Sequence, residues 1–302
     1  MLKRFLMETD WEQLKTVIRA LDRVELLEVP GLEDRIDNLR IELNSAGFDR
    51  WGLHPETLRK FAPYLYFLYK KYFRVETAGL DQIPEGRVLF IGNHGGQVPI
   101  DAMMAGLALF IEGQPPRVAR AMVERWVPTV PFVSSLFTRI GAMVGDPMNC
   151  RELLQHDQSV LVFPEGVRGS GKLFKDRYQL QRFGTGFMRL ALETGTPIVP
   201  VAIIGTEETY PSVFNFELLA KAVGAPYFPV TPFFPLLGPL GLLPLPSKIT
   251  VRFGKPLRFT GESDESEESI RAKVQTVKEA LQGEIDTGLK LRGENIFTGA
   301  AK

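Results

Sequence analysis

The stretch Val88-Leu89-Phe90-Ile91-Gly92-Asn93-His94-Gly95-Gly96-Gln97-Val98-Pro99-Ile100-Asp101 decides the fold class. Its first four residues are a short apolar run of the kind that forms a buried strand, and Ala102 to Phe110 beyond it is apolar and helix-favouring. His94 therefore falls in a loop at a strand's carboxyl end, where α/β proteins present reactive groups. Gly95 and Gly96 open backbone angles closed to other residues, and Pro99 suits a first helical position, which puts Asp101 in the first turn. An imidazole beside a carboxylate is a general-base pair in outline. A capped helix start, with an aspartate favoured by the helix dipole, would use the same residues.

Outward from this point strands and helices alternate between Val75 and about Thr260. The strand candidates are Val88 to Ile91, Arg117 to Ala121, Ile140 to Val144, Ser159 to Phe163, Pro197 to Ile204 and Ile249 to Phe253. Helix candidates fall between them at Pro99 to Phe110, near Val130 to Thr138, at Asn149 to His156 and at Gly184 to Glu193. Such alternation predicts an α/β fold with a mostly parallel central sheet flanked by helices. Residues 1–75 read as an N-terminal helical region, with Trp11, Leu14, Val17, Ile18 and Leu21, then Leu32, Ile36, Leu39 and Leu43, at helical spacing. The tail Asp264 to Leu291 starts acidic and repeats Ile270, Val274, Val277, Leu281 and Ile285, an amphipathic helix with the charge order its dipole favours. The expected organisation is thus 1–75, a central domain 76–260, and a C-terminal helix and tail 261–302.

The 302 residues carry 36 Lys and Arg against 36 Asp and Glu, so no basic excess points to nucleic acid as a partner. Cys150 is the single cysteine and the three histidines are scattered, which leaves no intrachain disulfide and no metal cluster. His54 and His156 read as loop residues. With no apolar core of signal-peptide length near the start, the expected setting is reducing and cytoplasmic.

Two segments suit a lipid surface. Pro55 to Arg74 interleaves Phe61, Tyr64, Phe67, Tyr69, Tyr72 and Phe73 with Lys60, Lys70, Lys71 and Arg74, as at a membrane interface or on a helix docked by a broad apolar face. Residues 222–247 hold no charge over 26 positions, seven of them proline. Each interior proline costs a helix about 3 kcal/mol, so this is an extended apolar loop and not a span. It either packs over the core or touches lipid.

A second motif follows the strand at Ser159 to Phe163: Phe163-Pro164-Glu165-Gly166-Val167-Arg168-Gly169-Ser170-Gly171-Lys172. A carboxylate and an arginine three apart on a glycine-rich loop can hold a hydroxyl-bearing or anionic substrate. Lys172, Lys175, Arg177 and Arg182 form a basic cluster suited to an anion such as phosphate. Gly166 to Lys172 fits the spacing of a P-loop, but Leu173 replaces the hydroxyl that would bind magnesium. There is no G-x-S-x-G anywhere, which excludes that route to a serine hydrolase.

Asn93-His94 with Asp101, then FPEG-x-R at 163–168, then Thr196-Pro197-Ile198-Val199-Pro200-Val201, resemble the glycerolipid acyltransferase family in order and approximate spacing over residues 75–260. The glycine-led stretch Phe183 to Ala191 is similar too. The resemblance implies transfer of an acyl group from acyl-CoA or an acyl-carrier protein to a lipid hydroxyl at a membrane surface, with no further cofactor. His94 would be the general base and Asp101 its orienting carboxylate. Asn93, Glu165, Gly166 and Arg168 would contact the acceptor. No covalent intermediate is implied. Two departures bear on the acceptor. Six residues separate His94 from Asp101, where the family usually has four, and this longer spacing resembles the branch that esterifies neutral lipids and alcohols. The family's intermediate arginine is missing from Gly141 to Pro147, with Arg139 and Arg151 near but unmatched, whereas the cations after Gly166 favour a phosphate. Lysophospholipid and neutral acceptors both stay open, as does a non-catalytic lipid-binding protein on the same fold.

Overall fold

The computed structural model describes residues 28–125, 133–216, 218, 220, 227–238, 241 and 243–292. The helical periodicity of Trp11 to Leu21 lies outside them.

Nine strands and eight α-helices form the described part. In chain order they are α1 (Leu32–Asp37), α2 (Pro55–Phe67, extended by a π-helical turn Leu68–Tyr72), β1 (Glu76–Ala78), β2 (Leu89–Gly92), α3 (Ile100–Ile111), β3 (Arg120–Val123), α4 (Val133–Arg139), β4 (Met143–Val144), α5 (Pro147–Gln155), β5 (Val160–Val162), α6 (Val167–Ser170), α7 (Gly186–Thr194), β6 (Ile198–Ile204), β7 (Phe214–Asn215), β8 (Pro229–Val230), β9 (Thr250–Phe253) and α8 (Glu267–Arg292). Seven strands make one sheet in the order β1-β9-β6-β2-β5-β3-β4. Every pairing is parallel except β6 with β9, so the mostly parallel sheet expected from the alternation is the one formed.

The side-chain period of two splits the central strands between two cores. Phe90, Leu161, Val199, Val201 and Ile203 face α1, α2 and α3, while Leu89, Ile91, Val160, Ala202 and Ile204 face α5, α7 and α8. Ile270, Val274, Val277, Leu281 and Ile285 on α8 are buried in the second core, so the tail is not detached from the sheet. The same holds for residues 32–73. Leu58, Tyr69 and Phe73 are buried in the first core and Lys70 pairs with Glu112 at 2.5 Å, so the aromatic-basic segment takes the docked reading.

Differences from the sequence reading have local causes. α1 stops at Asp37, short of Leu43, because the Asn38 side chain donates to Asp34 O at 2.6 Å and competes for the helix end. β3 starts at Arg120, not Arg117, whose backbone N–H is held by Leu109 O at 3.2 Å. Pro99 is the cap of α3, and Ile100 its first residue. β1 and the β7–β8 hairpin were not anticipated.

Candidate active site

Three neighbouring parallel strands, β5, β2 and β6, end at the same edge of the sheet, and each sends a loop into the site. β2 runs into His94, β5 into Phe163-Pro164-Glu165, and β6 into Gly205-Thr206-Glu207-Glu208. The His94 and FPEG-x-R motifs are therefore brought together by register.

His94 Nδ1 donates to Asp101 Oδ2 at 2.5 Å. The Asp101 carboxylate is fully buried and also accepts from Gly95 N–H at 3.0 Å and Ala102 N–H at 2.7 Å. The six intervening residues are folded into two consecutive tight turns, Val98 N–H to Gly96 O at 2.6 Å and Ile100 N–H to Val98 O at 2.7 Å, so the longer spacing still closes. Gly96 has φ of +93°, and a Cβ on it would lie 2.5 Å from Thr206 O, so no other residue fits there. Gln97 shares the left-handed region at φ +64° and is held by Nε2 donating to Lys172 O at 3.0 Å.

With Nδ1–H engaged, Nε2 is the basic nitrogen, and it has no hydrogen-bond partner among the described residues. The ring stacks on Phe163 at 4.6 Å and is 16% exposed. Burial opposes its protonation, but the charge and hydrogen bond of Asp101, with Glu165 behind them, hold its pKa above the ordinary histidine value.

The other residues singled out from sequence are placed differently. Asn93 is fully buried, its Nδ2 donating to Ile203 O at 2.9 Å and its Oδ1 accepting from Ile203 N–H at 2.7 Å, so it staples β2 to β6 and faces no substrate. Glu165 is buried and accepts from His94 N–H at 2.9 Å and Gln181 N–H at 2.8 Å, which makes it a support of the histidine loop, not an acceptor contact. Lys172, expected to bind an anion, has a side chain only 4% exposed, between Glu165 at 3.4 Å and Glu207 at 3.0 Å. Two carboxylates already neutralise it. Arg168, Lys175, Arg177 and Arg182 are exposed and form no ion pair among the described residues. Gly166 has φ of +57° and leads into α6. His54 stacks on Phe48 at 4.4 Å and His156 lies 2.9 Å from Arg50, both away from the site. Burial pushes the Cys150 thiol up to about 11, which removes it as a nucleophile.

Two residues of the site escaped the sequence reading. Glu207 accepts from Tyr178 N–H at 2.8 Å and packs so tightly on Gly95 that a Cβ there would lie 2.3 Å from its Cγ. Its signal was available: a glutamate pair directly after a fully buried strand. Tyr227 comes from the proline-rich segment and donates from Oη to Gln97 O at 2.7 Å.

Two cavities are bordered by residues that flank or touch the pair. One, of about 260 Å³, is lined by apolar residues of α2, α3, α4 and β3, among them Leu58, Met103, Gly106, Phe110, Ala121 and Phe137. Its wall includes Val98, Pro99, Ile100 and Ala102, so Asp101 sits within that wall in sequence and Val98, 44% exposed, marks its mouth. The other, of about 230 Å³, lies beyond Phe163 and includes Glu124, Asp146, Cys150 and Gly186. Asp146 stands in the stretch where an arginine is missing. It caps α5 by accepting from Met148 N–H at 2.9 Å and meets Arg125 at 3.1 Å.

Comparison with known proteins gives one consistent result. Residues 74–204 match the family model described as Acyltransferase. An uncharacterized protein of Mycobacterium leprae is 43% identical over 215 residues, covering 70% of this chain and 59% of its own. A mouse protein named DGAT1/2-independent enzyme synthesizing storage lipids is 26% identical over 223 residues, covering 72% and 61%. The chain thus spans about three fifths of the length of these relatives. Among solved structures, the 1-acyl-sn-glycerophosphate acyltransferase PlsC of Thermotoga maritima aligns with a TM-score of 0.50 at 19% identity over 80% of each chain, which establishes the shared fold.

Proposed function

We propose, from the match of residues 74–204 to the acyltransferase family model, that the chain moves a fatty acyl group from a thioester, acyl-CoA or acyl-carrier protein, to a lipid hydroxyl. One observation carries this reading: a histidine fixed by a buried carboxylate whose chain neighbours Ile100 and Ala102 line an apolar cavity. His94 Nε2 takes the proton of the acceptor hydroxyl as its oxygen attacks the thioester carbonyl; the C–S bond then breaks, and the leaving thiolate takes that proton from the imidazolium. Asp101 holds the tautomer and stabilises the imidazolium. The substrate supplies the nucleophile, so no acyl-enzyme forms.

The cavity takes the acyl chain. Gly106 lines it, and a Cβ there meets nothing within 4 Å, so a side chain grows into empty space. Gly106→Phe should lower kcat/KM for long-chain donors about tenfold or more while leaving short-chain donors near wild type, since each methylene denied burial forfeits about 0.8 kcal/mol. An unchanged chain-length profile would remove the cavity from the mechanism.

The acceptor is best read as uncharged. The cavity beyond Phe163 holds Glu124 and Asp146, and Lys172 is already neutralised by Glu165 and Glu207. Asp146 is offset by Arg125, but a phosphate there would face Glu124, which forms no ion pair among the described residues. The name of the mouse relative agrees with a neutral lipid. Thiol release from acyl-CoA, measured with monoacylglycerol, diacylglycerol, a fatty alcohol or lysophosphatidic acid, tests both levels. We expect acceptor-dependent release with an uncharged alcohol and weak release with the phosphate. Preference for lysophosphatidic acid overturns the acceptor class, and acceptor-independent rates throughout overturn acyl transfer.

Catalysis needs neutral His94, so kcat/KM falls as pH drops through its pKa. The acid limb is expected above about 6.5, the ordinary histidine value. Asp101→Ala should move it to lower pH, because burial then acts unopposed by that charge. A pH–rate profile of the two proteins checks the direction.

A further inference from the structure

Outside the cavities the chain carries an apolar lobe that the reaction does not use. Among the described residues, eight of the thirteen large apolar side chains left exposed lie between Val213 and Leu243, with Leu236 at 82% and Leu218 at 72%. The β7–β8 hairpin, Phe214 opposite Val230, gives the lobe its base. In the run 222–247 there is no charge, and its side chains with hydrogen-bonding groups are Tyr227, Thr231 and Ser247. All three are engaged inside the molecule: Tyr227 with Gln97, Thr231 accepting from Phe234 N–H at 2.9 Å, and Ser247 accepting from Arg292 at 2.9 Å. A protein partner is recognised through a polar rim and direct hydrogen bonds. This run keeps no polar side chain for that purpose.

Cations stand at the foot of the lobe. Phe174 N–H donates to Ser212 O at 2.7 Å, directly before the hairpin, which places exposed Lys175 beside it. The Arg177 guanidinium lies 4.4 Å above the Phe174 ring. Neither forms an ion pair among the described residues. Apolar and aromatic side chains edged by unpaired cations match the boundary between acyl chains and anionic headgroups. The lobe is also tied to the site, through the Tyr227–Gln97 bond beside the exposed Val98 at the cavity mouth.

We infer that the described residues of the charge-free run 222–247, with Val213, Phe214, Phe216 and Leu218 beside it, are the surface that seats on a lipid bilayer, with Leu236 and Leu237 in the acyl boundary and Lys175 and Arg177 at anionic headgroups. Lys175 and Arg177 then serve the membrane and not the acceptor's phosphate. Seated this way, the cavity mouth opens toward lipid and a chain enters it without crossing water. The inference rests on the lipid-handling reading above.

Co-sedimentation with phosphatidylcholine vesicles, with and without phosphatidylglycerol, tests it on the full chain. Leu236→Glu with Leu237→Glu should weaken binding to both vesicle types about a hundredfold or more. Lys175→Gln with Arg177→Gln should weaken it about thirtyfold on the anionic vesicles alone. Both variants should keep thiol release from a short-chain acyl-CoA with a water-soluble alcohol, a readout that needs no membrane and reports their folding. Wild-type protein that ignores vesicles overturns the inference. So does equal binding by the leucine variant, or a wild-type dimer that this variant converts to monomer without any vesicle binding. If binding changes as stated but no protein, wild type included, releases thiol with any donor, the surface stands and the acyl-transfer reading falls.

Discussion

His94→Ala is expected to lower kcat/KM for acceptor-dependent thiol release by ~10²–10⁴-fold, the usual contribution of a general base. Structure-wise the change is mild. The main-chain N–H that Glu165 accepts at 2.9 Å remains in alanine. Asp101 keeps the N–H groups of Gly95 and Ala102, so the buried carboxylate is not left without donors. What disappears is Nε2, the proposed acceptor of the hydroxyl proton, together with the ring stacked on Phe163. An alcohol attacking without a base must shed its proton to water after becoming strongly acidic, which raises the barrier. Single-turnover thiol release with saturating acceptor, beside a thermal melt, separates chemistry from folding. A variant within tenfold of wild type and with a normal melt would remove His94 from the reaction.

Lys172→Met is expected to destabilise the protein by about 3–5 kcal/mol, the cost of leaving a buried charge unpaired, and so to lower the melting temperature by roughly 10 °C. The lysine side chain is 4% exposed and lies within 3.4 Å of Glu165 and 3.0 Å of Glu207. Burial already raises the Glu207 pKa, with Lys172 acting against it. Without the lysine that pKa rises further above its unfolded value. The folded variant then binds more protons than the unfolded chain below that pKa, so its stability should increase as pH falls from neutral toward 5. Adding Glu207→Gln should recover most of the loss at neutral pH. Denaturant titrations of the three proteins across pH measure this. A Lys172→Met variant as stable as wild type at neutral pH would mean that the triad contributes nothing to the fold. Activity should fall with the triad too, because Glu165 holds the main chain of His94 and Glu207 packs on Gly95.

Legibility in the sequence followed the range of the interaction. β2, β5 and β6 were readable because each is a buried apolar run bounded by turn residues, and α8 because its apolar stripe keeps one period over 26 residues. β1 and the β7–β8 hairpin, of two or three residues each, have no period to read and exist through partners distant in sequence. Asn93 and Glu165 stand out in the sequence, but their main-chain partners, Ile203 for Asn93 and His94 and Gln181 for Glu165, are set by the fold. Lys172 looked like an anion ligand because the cations around it are local, whereas Glu207 that neutralises it arrives from another strand.

The sequence by itself determined the class of fold and, through the family resemblance, put His94, Asp101 and FPEG-x-R in one constellation. The fold class rests on local periodicity, which a linear reading contains, and the constellation rests on the order of motifs that the resemblance carries. Only the tertiary structure decided which groups are buried to hold the loops and which stay exposed. It closed the longer His94–Asp101 spacing through two tight turns, withdrew Lys172 into a buried triad, and brought Tyr227 of the proline-rich segment to the histidine loop. The physical reason is the parallel register of β5, β2 and β6, which sets three loops side by side at one sheet edge and so lets charges distant in sequence settle one another.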